Sequence, residues 1–127
     1  MTGKTVLIVD DQEVVRKYVE DSLRREGFHV HGATDGLDAL RQVDLLGAAI
    51  DLLLTDIRMP RMDGIALASS ISEIYPKIPV LFMSGYPFDL REERTKFAPA
   101  SFAFLAKPFT RQALLEAIRT LLDTGKT

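Results

Sequence analysis

The sequence predicts an α/β domain, a doubly wound five-stranded parallel sheet with helices on both faces. Three observations predict it. The stretch Asp51-Leu52-Leu53-Leu54-Thr55-Asp56 carries an apolar run with no polar interruption and ends in a carboxylate, the pattern of a parallel strand covered on both faces. Four more short apolar segments alternate with helix-periodic segments, which argues for right-handed crossovers into one parallel sheet. Finally, three of the strands run into polar residues (Asp10-Asp11, Asp56, Ser84) and a fourth stops one residue short of Lys107. In a parallel sheet these ends share one edge, where open α/β sheets keep their ligand sites.

Taken in order, Val6-Leu7-Ile8-Val9 is the first strand. A helix follows with Val15, Tyr18, Val19, Ser22 and Leu23 on one face, closed by Gly27. Phe28 to Ala33 alternates loosely as a second strand. Its His29 and His31 share one face, since side chains alternate, and read as surface residues of an edge strand. Thr34-Asp35-Gly36 turns into a helix carrying Leu37, Leu40 and Val43, with Asp35 as N-cap and Gly47 as stop. The organising strand comes next, and Pro60 with the Asp63-Gly64 turn halts it. Ile65, Leu67, Ala68, Ile71 and Ile74 mark a third helix that ends before Pro76. Pro79 to Met83 is the fourth strand. Asp89 with Glu92 resembles a capping box, so a fourth helix is predicted from Leu90, short because Phe97-Ala98-Pro99 breaks it. Ser101 to Ala106 is the fifth strand, and Thr110 caps a fifth helix bearing Leu114, Ala117, Ile118, Leu121 and Leu122.

The chain of 127 residues is sized for one domain, 1–127, with a compact core over about 4–122 and a polar tail over 123–127. Apolar content of 46% and charge of 27% are globular values, which argues against disorder. A net charge of −2 from 16 basic and 18 acidic residues gives no nucleic-acid or membrane footprint. No helix-turn-helix or basic segment follows Leu122, so direct DNA contact is not expected. The absence of cysteine excludes a disulfide framework and any Cys-based zinc site or nucleophile. No apolar run approaches the roughly 20 residues needed to span a bilayer, and Met1-Thr2-Gly3-Lys4 opens no signal peptide. A cytoplasmic soluble domain is the expectation.

Asp10, Asp11 and Asp56 brought together would repel one another and raise each other's pKa unless a cation sat among them. An all-oxygen donor set without His or Cys favours a hard ion, and Mg²⁺ is the common choice. Each residue also has a plainer reading. Asp10, three before Glu13, fits a helix cap; Asp56 fits a turn; Ser84 before Gly85 fits a turn as well; Lys107 before Pro108 fits solvated surface. Their joint placement at successive strand ends is what favours a site.

Asp10-Asp11, Asp56 within Thr55-Asp56-Ile57-Arg58-Met59-Pro60-Arg61-Met62-Asp63-Gly64, Ser84-Gly85 and Lys107-Pro108-Phe109 together closely resemble the receiver domain of two-component response regulators. The resemblance covers nearly the whole chain. It implies a flavodoxin-like (βα)5 fold with strand order 2-1-3-4-5. It implies that Asp56 is the phosphoacceptor, taking phosphoryl from a sensor histidine kinase, a histidine phosphotransfer protein or a small acyl phosphate. Asp11 then matches a direct Mg²⁺ ligand, Asp10 one acting largely through water, and Arg58 the residue whose backbone carbonyl reaches the metal. Ser84 and Lys107 match the hydroxyl and ammonium that bind phosphoryl oxygens, and Lys107-Pro108 a bond that is usually cis in the family. Phe104 matches the switch aromatic, although a plain strand-core phenylalanine has the same pattern. The face of fourth helix, fifth strand and fifth helix is the implied output surface for a downstream target or onward relay, on a monomer or weak homodimer. Arg58 and Tyr86, which flank the site, are expected to set phosphoryl lifetime. Phe82-Met83-Ser84-Gly85-Tyr86-Pro87 is similar to receivers attached to hybrid sensor kinases.

Two other classes compete. A Mg²⁺-dependent phosphohydrolase with an aspartyl nucleophile typically carries a second Asp two residues on, where this chain has Arg58. A binding module that never becomes phosphorylated has no use for the full acidic, Ser and Lys set.

Overall fold

The computed structural model describes residues 3–86 and 101–124. Its strands are β1 (Thr5–Val9), β2 (His29–Ala33), β3 (Leu52–Asp56), β4 (Val80–Ser84) and β5 (Phe102–Ala106). The helices are α1 (Glu13–Arg25), α2 (Gly36–Leu46), α3 (Gly64–Ile74) and a C-terminal helix (Arg111–Thr124), with a 3₁₀ turn at Gly47–Ala49. All strands are parallel, in the order β2-β1-β3-β4-β5. The predicted fold class and strand order therefore hold. The predicted fourth helix from Leu90, its Asp89–Glu92 capping box and its Phe97–Pro99 break lie outside the described residues, as does the tail beyond 124.

The sheet splits the apolar interior in two because strand side chains alternate. Val6, Ile8, Leu52, Leu54, Leu81 and Met83 face α1 and the C-terminal helix, meeting Val19, Leu23, Leu114 and Ile118. Leu7, Val9, Leu53, Val80 and Phe82 face α2 and α3, meeting Ala39, Val43, Leu67 and Ile71. The central strand β3 is buried along its whole length, including Thr55 and Asp56. That burial explains its unbroken apolar run.

Local signals position the loops. Asp35 accepts the Asp38 N–H and Asp63 the Ala66 N–H, so both cap their helices. Thr110 does the same for the C-terminal helix through Ala113 N–H. Gly27 (φ 89°) and Gly47 (φ 53°) take the left-handed backbone that ends α1 and α2. Met62 N–H bonds Pro60 carbonyl across Arg61, which itself sits at φ 68°. Lys107-Pro108 is cis.

Three apolar assignments change. Tyr18, Leu37 and Ile74 sit at helix-periodic positions, yet they are 46%, 56% and 64% exposed. Tyr18 and Ile74 lie at the margin of their helices' buried stripes, and Leu37 falls off the stripe of Gly36, Ala39 and Val43. Ala39, not Leu37, fills the inner face of α2. The second strand begins at His29; Phe28 precedes it and packs in the core. β2 is an edge strand, with His29 exposed and His31 half-buried.

Candidate functional site

The site is built where β1, β3, β4 and β5 run out. Asp10 follows β1 and is wholly buried. Its Oδ1 accepts the Gln12 N–H at 2.9 Å and its Oδ2 faces Lys107 Nζ at 3.3 Å. The capping-box reading of Asp10 with Glu13 is thus not realised: Gln12 is the N-cap and its side chain makes no cap bond. Asp11, next in sequence, is exposed. Asp56 ends β3, and its Oδ1 lies 3.4 Å from the same Lys107 ammonium.

Asp10, Asp11 and Asp56 each offer a carboxylate oxygen within 4.8 Å of the others. Three carboxylates set against one ammonium leave two negative charges unbalanced. Burial pushes the Asp56 carboxyl up from its ordinary 3.8 to about 6; Lys107 opposes the rise, while Asp10 and Asp11 add to it. Asp56 is therefore mostly ionised near neutral pH but unusually basic for a carboxylate, which suits a nucleophile. The donor set is all oxygen, clustered and under-compensated, so it fits a hard divalent ion such as Mg²⁺. Asp10, Asp11 and Asp56 are the side chains that would hold it.

A cleft of about 240 Å³ opens over this cluster, lined by Asp11, Gln12, Asp56, Arg58, Gly85, Tyr86 and Lys107. Five of these were legible as site residues in the sequence; Gln12 and Gly85 were not. The Arg58 guanidinium lies 4.1 Å from the centroid of the Tyr86 ring, a cation–π pair at the cleft mouth. No carboxylate stands two residues after Asp56, so the acid/base geometry of an aspartyl phosphohydrolase is missing from that position.

Ser84 ends β4 and is 2% exposed. Its Oγ accepts the Tyr86 N–H at 2.9 Å and donates to the Tyr86 carbonyl at 3.2 Å. It thus stands behind the cleft and holds the turn that carries Tyr86. Phe104 lies two strand residues before the end of β5. It is half-buried, stacked on Phe82 at 5.4 Å and edge-on to Phe102 at 5.7 Å. Gly64 explains the Asp63-Gly64 signal: a Cβ there would collide with the Asp56 backbone carbonyl.

The fold and the edge site define a class: a doubly wound α/β domain with an aspartate-centred acidic cluster facing one lysine. The response regulator receiver domain family matches residues 6–119, and the chain belongs to that family. It is 36% identical over 119 residues to the sensor kinase CckA of Brucella abortus, covering 94% of this chain and 12% of that protein. It is 33% identical over 119 residues to the response regulator receiver protein CpdR of the same organism, covering 94% and 97%. The crystal structure of a receiver domain protein from Clostridium thermocellum superposes with a TM-score of 0.86 at 27% identity, covering 96% of each chain. The chain is accordingly a receiver domain of two-component signalling, spanning about an eighth of the kinase it resembles. Among the described residues, no helix is long and apolar enough to cross a membrane.

Proposed function

We propose that the chain, as a single receiver domain over 1–127, is a phosphoacceptor switch. Asp56 takes a phosphoryl group from the phosphohistidine of a sensor histidine kinase or histidine phosphotransfer protein. An Asp56 carboxylate oxygen forms the new P–O bond as the P–N bond breaks and the imidazole leaves with the electron pair. The observation that carries this reading is the lysine shared between Asp10 and Asp56 beside an elevated, still ionised Asp56 carboxyl.

Mg²⁺, when bound, supplies charge neutralisation for the transferring oxygens. Asp11 and Asp56, together with the Arg58 carbonyl, would hold it, and Asp10 would assist through water. Lys107 moves from pairing two carboxylates to pairing a phosphoryl oxygen, which is electrostatic stabilisation by a group already in place. Ser84 takes another oxygen. To do so its hydroxyl leaves the Tyr86 backbone, loosening the turn that seats the Tyr86 ring on Arg58. Arg58 and Tyr86 thereby govern water access and phosphoryl lifetime. Phe104 follows Ser84 inward and alters the face presented by β5 and the C-terminal helix, which binds a target protein or relays onward. The domain acts in the cytoplasm, as a monomer or weak homodimer, without direct contact to nucleic acid or membrane.

Incubation with acetyl phosphate and Mg²⁺ followed by intact mass spectrometry tests the reading. A metal-dependent mass increase of one phosphoryl group, lost in Asp56→Asn, is expected. Multiple turnover of phosphate without a stable adduct would replace the switch with a phosphohydrolase, and no adduct under any donor would leave a binding module.

A further inference from the structure

Arg16 lies on α1, outside the acidic cluster, yet its side chain is only 13% exposed. Its Nη1 donates to the backbone carbonyl of Asp10 at 3.0 Å. On its other side, Nε faces the Glu20 carboxylate at 3.6 Å, and Glu20 is itself 15% exposed. Glu13 stands further off at 4.0 Å and is largely solvated. The pair is seated against the edge strand at Gly32, where an added Cβ would strike the Glu20 carboxylate and crowd the Arg16 stem at 3.4 Å. A missing side chain on β2 thus makes room for a mostly buried ion pair on α1.

What Arg16 grips matters more than how it is held. The Asp10 N–H already donates to the Ala33 carbonyl at 3.2 Å. With Arg16 on the carbonyl, both polar groups of the Asp10 backbone are fixed, and with them the peptide plane leading to Asp11. The Asp11 carboxylate accepts no hydrogen bond from the described residues, so the backbone beneath it sets where it points. We infer that Arg16 is a positioning residue: held by Glu20 over Gly32, it locks the Asp10–Asp11 peptide so that the Asp11 carboxylate faces Asp56 at divalent-cation distance. The inference rests on the Mg²⁺ part of the proposed function.

Charge and position predict opposite signs here. Removing a cation beside a cation site would tighten Mg²⁺ binding if Arg16 acted through its field alone. Loss of a partner that orients a ligand weakens it, by about tenfold at the lower end of such effects. A purely stabilising role would lower the melting temperature and leave the affinity of the folded chain unchanged.

The test is calorimetric titration of MgCl₂ into the whole chain and into Arg16→Met and Arg16→Lys, with folding followed by amide NMR spectra and thermal melts. Arg16→Met is expected to bind Mg²⁺ about tenfold more weakly, and Arg16→Lys to recover part of the loss, since lysine reaches one partner but not both. Unchanged or tighter binding in folded Arg16→Met overturns the inference. Should Arg16→Met fail to fold, Arg16→Lys decides: native affinity overturns the inference, and weakened affinity upholds it. Absence of Mg²⁺ binding in the unsubstituted chain brings down the parent reading too, an outcome distinct from failure in the variants alone.

Discussion

Asp51 and Asp56 bracket one strand and do opposite jobs. At the amino edge of the sheet, Asp51 Oδ2 accepts the Thr5 N–H at 2.8 Å, while its own N–H donates to the Thr5 carbonyl at 2.8 Å. That carboxylate stitches the start of β1 to the start of β3 by accepting a backbone N–H. Five residues on, Asp56 shares one lysine with Asp10, lies near a third carboxylate and has its pKa raised to about 6. The difference teaches that residue type and strand are not enough: a carboxylate becomes chemistry when its neighbours fail to compensate it.

The sharpest break of this comparison is to neutralise each carboxylate. Asp56→Asn is expected to abolish the phosphoryl adduct seen by mass spectrometry. Asp51→Asn should keep the adduct and lose about 1–2 kcal/mol of unfolding free energy in urea, the scale of one partly buried charge-assisted hydrogen bond. Loss of the adduct in Asp51→Asn would erase the distinction between the edges.

Lys107→Met comes next. Removing the cation that Asp10 and Asp56 share should slow phosphorylation by acetyl phosphate about 100-fold. It should also move the pH at which Asp56 titrates further upward, because Lys107 is what opposes the rise.

Glycines at the two edges offer a third contrast. Gly64→Ala drives a methyl into the Asp56 carbonyl, so about 2–3 kcal/mol of destabilisation is expected together with slower phosphorylation. Gly47→Ala, at φ 53° near Tyr75, should cost about 1 kcal/mol and leave phosphorylation rates unchanged.

The elevated Asp56 pKa makes a signed prediction for stability. The folded chain holds this proton more tightly than the unfolded one, so the contribution is fully present below about pH 4 and lost as pH rises through about 6. Above that range Asp56→Asn should be the more stable protein, by up to about 3 kcal/mol without Mg²⁺, and the gap should close at about pH 4. Urea titrations at the two pH values measure it. The finest effect concerns Arg58 and Tyr86. Either alanine substitution should change adduct half-life a few-fold, and the double variant should fall short of their product by the worth of an exposed cation–π pair, about 0.5–1 kcal/mol.

These contrasts also show what a sequence makes readable. Asp10, Asp11, Asp56, Ser84 and Lys107 were legible because each terminates or follows an apolar run, and a parallel sheet sends such ends to one edge. The helix caps at Asp35 and Thr110 were legible because capping is local. The Arg58–Tyr86 pair spans 28 positions and has no local signature, although both residues were marked as bordering the site. Arg16 reads on a helix as ordinary solvated charge, and only the packing over Gly32 reveals its grip on Asp10. Tyr18, Leu37 and Ile74 were misread as inward because periodicity reports a direction and not how far the opposing layer extends. The backbone of Arg61 at φ 68° had no cue in its residue type, since glycine is the usual occupant of that region.

The division of the interior by the sheet has a mechanical consequence. Asp11 leads into α1 and Lys107 toward the C-terminal helix, both above one apolar half, whereas Gly64 at the root of α3 touches the Asp56 carbonyl above the other. The acidic edge is thus a crossbar to which both slabs are pinned. An ion or group seated there would bear on the two slabs together, with no private wire through either one.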